Sequence, residues 1–215
     1  MKYSILFILL LMSCSGYRFK NRNNPLAQYG IRSVSIPTFY NHSSLPSVST
    51  EFTKEFYKVL GEFKKLRVYT GHNEKTDAVL VGVIRSRDSL LETKRVSQYR
   101  IAKGVADDDI GDDRPNFKIP AATSLNLQVR VYLIRNPSEE ELALLNTEIA
   151  DSLQLSSKLI FKENISVGAG YTREIFGGES KSINFTQNWG QNRRTVSRLA
   201  ERAASSFREI ILYAF

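Results

Sequence analysis

The residue with the most distinctive chemistry in this 215-residue chain is its only cysteine, Cys14. An apolar run of eight residues, Ile5 to Met12, lies just before it, and one lysine stands near the N-terminus. Such a run is far shorter than the ~20 residues that a membrane-spanning helix needs, and it is typical of a secretory signal peptide. Because a lone thiol cannot form an intramolecular disulfide, the choice is between a modified cysteine and a free thiol, and we expect modification.

The residues around Cys14 indicate which modification to expect. Leu11 and Ser13 lead into the cysteine, and the stretch resembles a bacterial lipobox. That resemblance implies cleavage after a signal peptide of residues 1–13 and attachment of acyl chains such as palmitate to Cys14. Since Ser15 is not the aspartate that typically retains such proteins in the inner membrane, it also implies the outer membrane. Several acyl chains, at about 0.8 kcal/mol per buried methylene, would anchor the chain stably.

Basic side chains are the second set of groups with a recognisable chemistry. The chain has 30 Lys and Arg residues against 22 Asp and Glu residues, a formal net charge of +8. In an exported protein this excess indicates phosphate-bearing envelope partners rather than nucleic acid, although a solvated basic surface is the alternative. Guanidinium groups bind phosphate through two parallel hydrogen bonds. The candidate ligand-binding residues, chosen by charge and strand parity, are Arg85, Arg87, Lys94, Arg95 and Arg130.

The sequence contains no residue set typical of a catalytic or metal site. The two histidines, His42 and His72, lie in polar stretches without metal-binding spacing, and no serine occupies a G-x-S-x-G elbow. Aspartates surround Gly111, but only Asp108 falls on one of the acidic positions that an EF-hand needs before its glycine, and Phe117 stands where the last glutamate should be, so residues 106–114 predict a solvated acidic loop. We therefore expect a protein that is not an enzyme and that has no metal or other cofactor.

The elements that must position the basic residues follow from the hydrophobic pattern. Residues 14–30 are polar and turn-rich, which predicts an acylated N-terminus and tether, and residues 31–215 predict a single domain. Residues 31–36 and 66–70 predict strands. Apolar residues between them recur at helical spacing after a possible cap at Ser49 or Thr50. A strand–helix–strand unit of this kind should have parallel strands.

Two further strands should carry most of the candidate ligand-binding residues. Over residues 77–87, Arg85 and Arg87 continue the face of Val79, Val81 and Val83, so one face changes from apolar to basic along the strand. Residues 90–101 either extend this strand or form its hairpin partner. The alternation over residues 123–135 predicts one covered face and one wet face, the latter with Asn126, Gln128, Arg130 and Tyr132.

The C-terminal part of the chain predicts two helices and one more strand. Ser138 and Glu141 have capping-box spacing at the start of a helix, and residues 158–167 predict a strand. Residues 168–190 predict a glycine-bearing loop in which Trp189 packs on the core, and the last helix should run from residue 191 or 192 to 213. The predicted fold class is α+β, with a mixed four- to five-stranded sheet and helices packed on one face.

Several short motifs together resemble those of the LPS-assembly lipoprotein family, the LptE type. They are Cys14 to Phe19 after the lipobox, Ile31 to Pro37 with Phe39 and Asn41 beyond it, Asp77 to Gly82, and Asn188-Trp189 before the last helix. The resemblance implies an α+β lipoprotein that assembles with and plugs an outer-membrane β-barrel of the LptD type. Its role would be to aid delivery of lipopolysaccharide to the outer leaflet.

Two features depart from the pattern of a compact plug. The acidic insertion around residues 107–113 and the helix after Pro137 are both larger than such a plug requires. They leave room for another function class, a periplasm-facing adaptor that activates an envelope enzyme such as a peptidoglycan synthase. A carrier for a single lipid is a third class, but it would need an apolar cavity that the composition does not indicate.

Overall fold

The computed structural model describes residues 23–86, 94–101, 118–145, 158–174 and 185–214. The signal segment, Cys14, Arg87 and the acidic stretch 106–114 lie outside these residues, so what was predicted for them stays a prediction. A short 3-10 helix spans Pro25–Tyr29. The strands are β1 (Ser33–Ile36), β2 (Tyr40–His42), β3 (Arg67–Thr70), β4 (Ala78–Ser86), β5 (Lys94–Ile101), β6 (Lys118–Arg135) and β7 (Leu159–Thr172), and the helices are α1 (Val48–Gly61), α2 (Glu139–Leu145) and α3 (Phe185–Ala214).

The seven described strands form one mixed sheet around the 18-residue strand β6. Strand β1 lies between β3 and β4 and is parallel to both, as the strand–helix–strand pattern predicts. Strand β6 pairs in antiparallel fashion with three strands. Strands β4 and β5 lie end to end along one edge of β6, and β7 lies along its other edge. Residues 94–101 therefore extend the line of β4 rather than forming its hairpin partner. The α+β class is confirmed, and the sheet has more strands than the predicted four or five because β2 and β5 have weak sequence patterns.

One face of the sheet, called here the first face, carries the main core. Helices α1 and α3 pack against each other, and α3 also packs on β7. Four phenylalanine rings run through this core from the segment after β1 to β7, with centroid separations of 5.0, 4.8 and 5.9 Å. They are Phe39, Phe56, Phe207 and Phe161. The aromatic series ties four separate segments of the chain together through tertiary contacts alone.

Asp77 organises the start of the parallel part of the sheet. Its carboxylate accepts hydrogen bonds from the Arg32 amide, the Ser33 amide and the Ser33 hydroxyl, each at 2.8 Å. Burial raises the pKa of Asp77, but these hydrogen bonds and the charge of Arg67 outweigh it, and the pKa lies below its ordinary value. The ionised carboxylate thus holds the beginning of β1 beside the beginning of β4.

Part of the predicted tether is packed into the domain. The Asn24 side chain accepts from the Leu26 amide and donates to the Ile31 carbonyl, so it caps the 3-10 helix at its first turn. Leu26 is fully buried, and Gly30 ends the turn at a positive φ of 75°. Residues 24–30 are thus secured to the rest of the domain by one buried leucine and an asparagine cap, although the segment is otherwise polar.

Helix α2 begins where the capping box predicts, but it packs on the other side of the sheet. The Ser138 amide donates to Glu141 at 2.7 Å and the Glu141 amide donates to the Ser138 hydroxyl at 3.2 Å. A hydrogen bond from Lys158 is the main cause of a lowered pKa for Glu141. Leu142 and Leu145 join a second, smaller apolar cluster. Helices therefore cover both faces of the sheet, because the apolar residues of β4 point to both sides.

Two boundaries in the C-terminal part differ from the prediction. Strand β7 continues through Gly168 and Gly170 to Thr172, where we expected a loop. Helix α3 begins at Phe185, six residues before the earliest predicted start. The Asn188 side chain exchanges two hydrogen bonds of 2.9 Å with the Glu174 backbone, and this contact ties the first turn of α3 to the end of β7. Within the described ranges, no helix is both long and apolar enough to cross a membrane.

Candidate ligand-binding face

The opposite side of the sheet, called here the second face, is formed by alternate residues of β4, β6 and β7. Near α2 this face is apolar, because Val79 and Val81 of β4 lie opposite Ile134 and Tyr132 of β6 and pack beneath Leu142 and Leu145. Tyr132 is only 2% exposed, so the prediction that it belongs to the wet face is wrong. Its ring is covered by the cluster under α2 and has the Lys162 ammonium 5.7 Å from its centroid.

Beyond Val83 the second face becomes polar. Three cross-strand rows follow one another along β6, and opposite residues in an antiparallel pair share a face. The first row is Val83, Arg130 and Asn164, the second is Arg85, Gln128 and Ser166, and the third contains Asn126 and Gly168. The predicted change from apolar to basic along the face of β4 is therefore confirmed as far as Arg85. None of these eight residues is acidic.

The two arginines of this polar area are diagonal neighbours. Arg85 lies opposite Gln128, and Arg130 lies two residues further along β6, opposite Val83. Side chains in this relation have Cβ atoms roughly 7–8 Å apart or less, so two guanidinium groups can contact one anion. The Arg85 Nε atom is buried and has no hydrogen-bond partner among the described residues. An unsatisfied buried donor costs about 1–3 kcal/mol, and an acceptor on a ligand would recover that cost.

The five candidate ligand-binding residues do not form one cluster. Arg85 and Arg130 lie together, whereas Arg95 lies opposite Ser124, four residues further along β6 than Gln128. At about 3.4 Å per residue this places Arg95 on the same face but roughly 14 Å away. Lys94 lies opposite Leu125, a core residue, so it belongs to the first face. Arg87 lies outside the described residues.

Two polar residues of the second face are absent from the residues that the sequence predicts for this surface. Asn164 and Ser166 of β7 are exposed and continue the rows of Arg130 and Gln128. Gly168 leaves room for the Asn126 side chain, because a Cβ atom at this glycine would lie 2.7 Å from Asn126 Oδ1. The alternation of β7 could have indicated Asn164 and Ser166, but nothing local in the sequence indicates the register that brings them beside Arg130.

One group of described side chains has ligand types suited to a metal ion. His72, Glu74 and Glu139 could bring one ligand atom each within 4.8 Å of one another, next to a shallow cavity between the loop before β4 and the start of α2. An imidazole with two carboxylates is a donor set that Zn²⁺ accepts. All three side chains are exposed, an arrangement that solvated surfaces commonly show without an ion.

Comparisons with known proteins give likenesses among solved structures only. No protein-family profile matches the chain, and no curated protein matches it. A minor lipoprotein from Acinetobacter baumannii is 11% identical, with 84% of this chain and 90% of that chain covered at a TM-score of 0.35. Lipoprotein GNA1162 from Neisseria meningitidis is 12% identical, with 78% and 97% covered at 0.34. Rare lipoprotein B from Shewanella oneidensis is 8% identical, with 83% and 92% covered at 0.32. These similar structures are bacterial lipoproteins, and at such identities and TM-scores the likeness carries no argument about function.

Proposed function

We propose that this chain is an outer-membrane lipoprotein, acylated on Cys14, that assembles with and plugs an LPS-translocating β-barrel. In this role it is not an enzyme; it binds the barrel protein and a phosphate-bearing glycolipid. The lipobox around Cys14 supports the anchor, and the motifs that resemble the LptE type support the barrel partner. The three polar rows of the second face, called here the polar strip, include Arg85, Gln128 and Arg130. Such a surface suits a hydrated lumen, because its side chains can replace hydrogen bonds to water with hydrogen bonds to other polar groups at little cost.

The observation that carries the glycolipid part of the proposal is the pair Arg85 and Arg130. They are diagonal neighbours on a face that holds neutral polar residues around them. The buried Nε of Arg85 is a donor that lacks an acceptor within the described chain. A lipid A or core phosphate placed between the two guanidinium groups would supply acceptor oxygens to both arginines.

Neutralising this pair should weaken lipopolysaccharide binding. We expect the double variant Arg85→Gln, Arg130→Gln to bind purified lipopolysaccharide at least about 100-fold more weakly, because a hydrogen bond to a charged group contributes about 1.5–3 kcal/mol and each 1.4 kcal/mol is a tenfold change in affinity. Binding is measured by fluorescence titration of the detergent-solubilised chain. The matched control is Lys54→Gln, Lys64→Gln, which removes the same charge from exposed positions that are not among the candidate ligand-binding residues. Equal loss in both variants would indicate a diffuse charge effect and contradict a site at Arg85 and Arg130.

The partner is identified by affinity purification from detergent-solubilised envelopes. With the full chain as bait, the proposal predicts recovery of a large outer-membrane β-barrel protein in stoichiometric amount. Recovery should persist in a chain exported with a cleavable non-lipid signal, since Cys14 serves to deliver the domain rather than to contact the barrel. Recovery of a peptidoglycan synthase without any barrel would contradict the plug and support the adaptor class.

A further inference from the structure

The first turns of α3 carry an apolar stripe beyond the point where the core ends. Phe185, Trp189 and Val196 are spaced by four and seven residues, so they lie on one face of the helix. Val196 is 5% exposed and continues into the buried stripe of α3. On the same face, Trp189 is 55% exposed and Phe185 is 78% exposed. The helix therefore presents two large aromatic residues to solvent on the same face that carries its core residues.

The geometry explains why the core does not reach these residues. Helix α3 has 30 residues, which corresponds to a length of about 45 Å. Next to Trp189 a cavity of about 300 Å³ opens between α3 and the start of α1, lined among others by Pro46, Glu51 and Asn192. It marks the end of the packing between the two helices. Since Asn188 is hydrogen-bonded to the Glu174 backbone, the overhanging turns are held in place.

The charged residues that α3 itself carries near this aromatic pair have one sign, whereas the neighbouring segments supply Glu51 at the cavity and Glu174 at the end of β7. From Phe185 to Ala200 the helix contains Arg193, Arg194 and Arg198 and no acidic residue, and all three arginines are exposed. The Arg193 guanidinium carbon lies 5.1 Å from the centre of the Trp189 ring. Exposed aromatic side chains next to arginines are the combination that binds the interface of anionic membranes, where the rings lie at headgroup level and the cations pair with phosphates.

We propose that the start of α3, residues 185–194, docks on the anionic surface of a phospholipid bilayer, with Phe185 and Trp189 in the headgroup region. This contact would orient the domain relative to its membrane. It goes beyond the proposed function and involves a different surface from the polar strip of Arg85 and Arg130. A protein partner would more readily provide acidic groups for specific arginines, whereas a bilayer supplies apolar cover and diffuse negative charge together.

The only tryptophan of the chain is Trp189, so its fluorescence reports this contact without any mutation. The acylated full chain is reconstituted in vesicles of phosphatidylethanolamine with phosphatidylglycerol. We expect a blue-shifted emission, quenching by lipids brominated on their acyl chains, and protection from acrylamide in water. In phosphatidylcholine vesicles, which lack net negative charge, quenching by brominated lipid should fall several-fold. Phe185→Ser should have a similar effect.

The matched control uses the opposite end of the same helix. Tyr213 is 80% exposed, so in the double variant Trp189→Phe, Tyr213→Trp the single indole should stay accessible to acrylamide and unquenched by lipid. Equal acrylamide accessibility at the two positions would overturn the proposal. Protection of Trp189 without lipid quenching would also overturn it and would indicate a protein contact. Mass spectrometry of the N-terminal peptide separately tests acylation of Cys14, so a missing anchor is distinguishable from a missing α3 contact.

Discussion

Replacing Phe56 by alanine will lower the free energy of unfolding by about 3–5 kcal/mol. Phe56 is fully buried and lies in the middle of the aromatic series, 5.0 Å from the Phe39 ring and 4.8 Å from the Phe207 ring. Its removal leaves a cavity between α1, α3 and the segment after β1. The rings on both sides belong to different segments, so they cannot collapse together to fill the space without moving a helix.

Urea unfolding measures this effect as a lowered midpoint with an unchanged slope. The matched control is the adjacent aromatic residue of the same helix, Tyr57, which is 36% exposed. Tyr57→Ala should change stability by less than about 1 kcal/mol, because it vacates no buried space. Similar losses for the two variants would mean that α1 is not packed against α3 as described.

A methyl group added at Gly82 will have the second large effect. An alanine Cβ at this central position of β4 would overlap Cγ, Cδ2 and Cε2 of the Phe39 ring, which lies directly over the glycine. The same ring packs against Phe56 in a T-shaped contact, so relief requires a shift of the core. We expect Gly82→Ala to destabilise the domain by about 1–3 kcal/mol through overpacking, as measured by chemical denaturation.

A double-mutant cycle tests whether the Phe39 ring is the cause. In a Phe39→Ala background, Gly82→Ala should cost close to nothing, because the ring that it strikes is gone. Gly61→Ala is the matched control, because Gly61 is the last residue of α1 and a Cβ atom added there would meet no atom within 4 Å. That substitution should stabilise the domain by about 0.5–1 kcal/mol. An equal penalty for Gly82→Ala in both backgrounds would contradict the contact.

The two faces of the sheet should separate stability from the proposed ligand binding. The first face holds the aromatic series and both long helices. Among the described residues, the second face is covered by α2 at one end and presents Arg85, Arg130 and Gln128 beyond it. Substitutions in the polar strip should therefore alter binding with little change in unfolding. The exposed start of α3 adds a surface of different chemistry, aromatic and basic, at which a bilayer can dock.

The amino-acid sequence alone determined the elements whose signals are local. Alternation in β4 and β6, helical spacing in α1 and α3, and the capping box of α2 all arise within a few residues, so each was predictable. Strand parity also assigned Arg85 to the face of β4 that turns from apolar to basic, and Arg130 to the wet face of β6, each within its own strand. The lipobox-like motif around Cys14 can be recognised from the sequence alone, because it does not depend on the folded structure.

Only the tertiary structure decided which of these elements meet. Side-chain parity assigns a face within one strand, but the register between strands places Arg130 beside Arg85 and puts Lys94 on the opposite face. Likewise, the apolar stripe of α3 predicted a helix but not how far the core extends beneath it. Trp189 was expected to pack on the core and is instead 55% exposed, because burial depends on the reach of the neighbouring segments rather than on residue type. The candidate binding surfaces therefore follow from long-range contacts that no local pattern encodes.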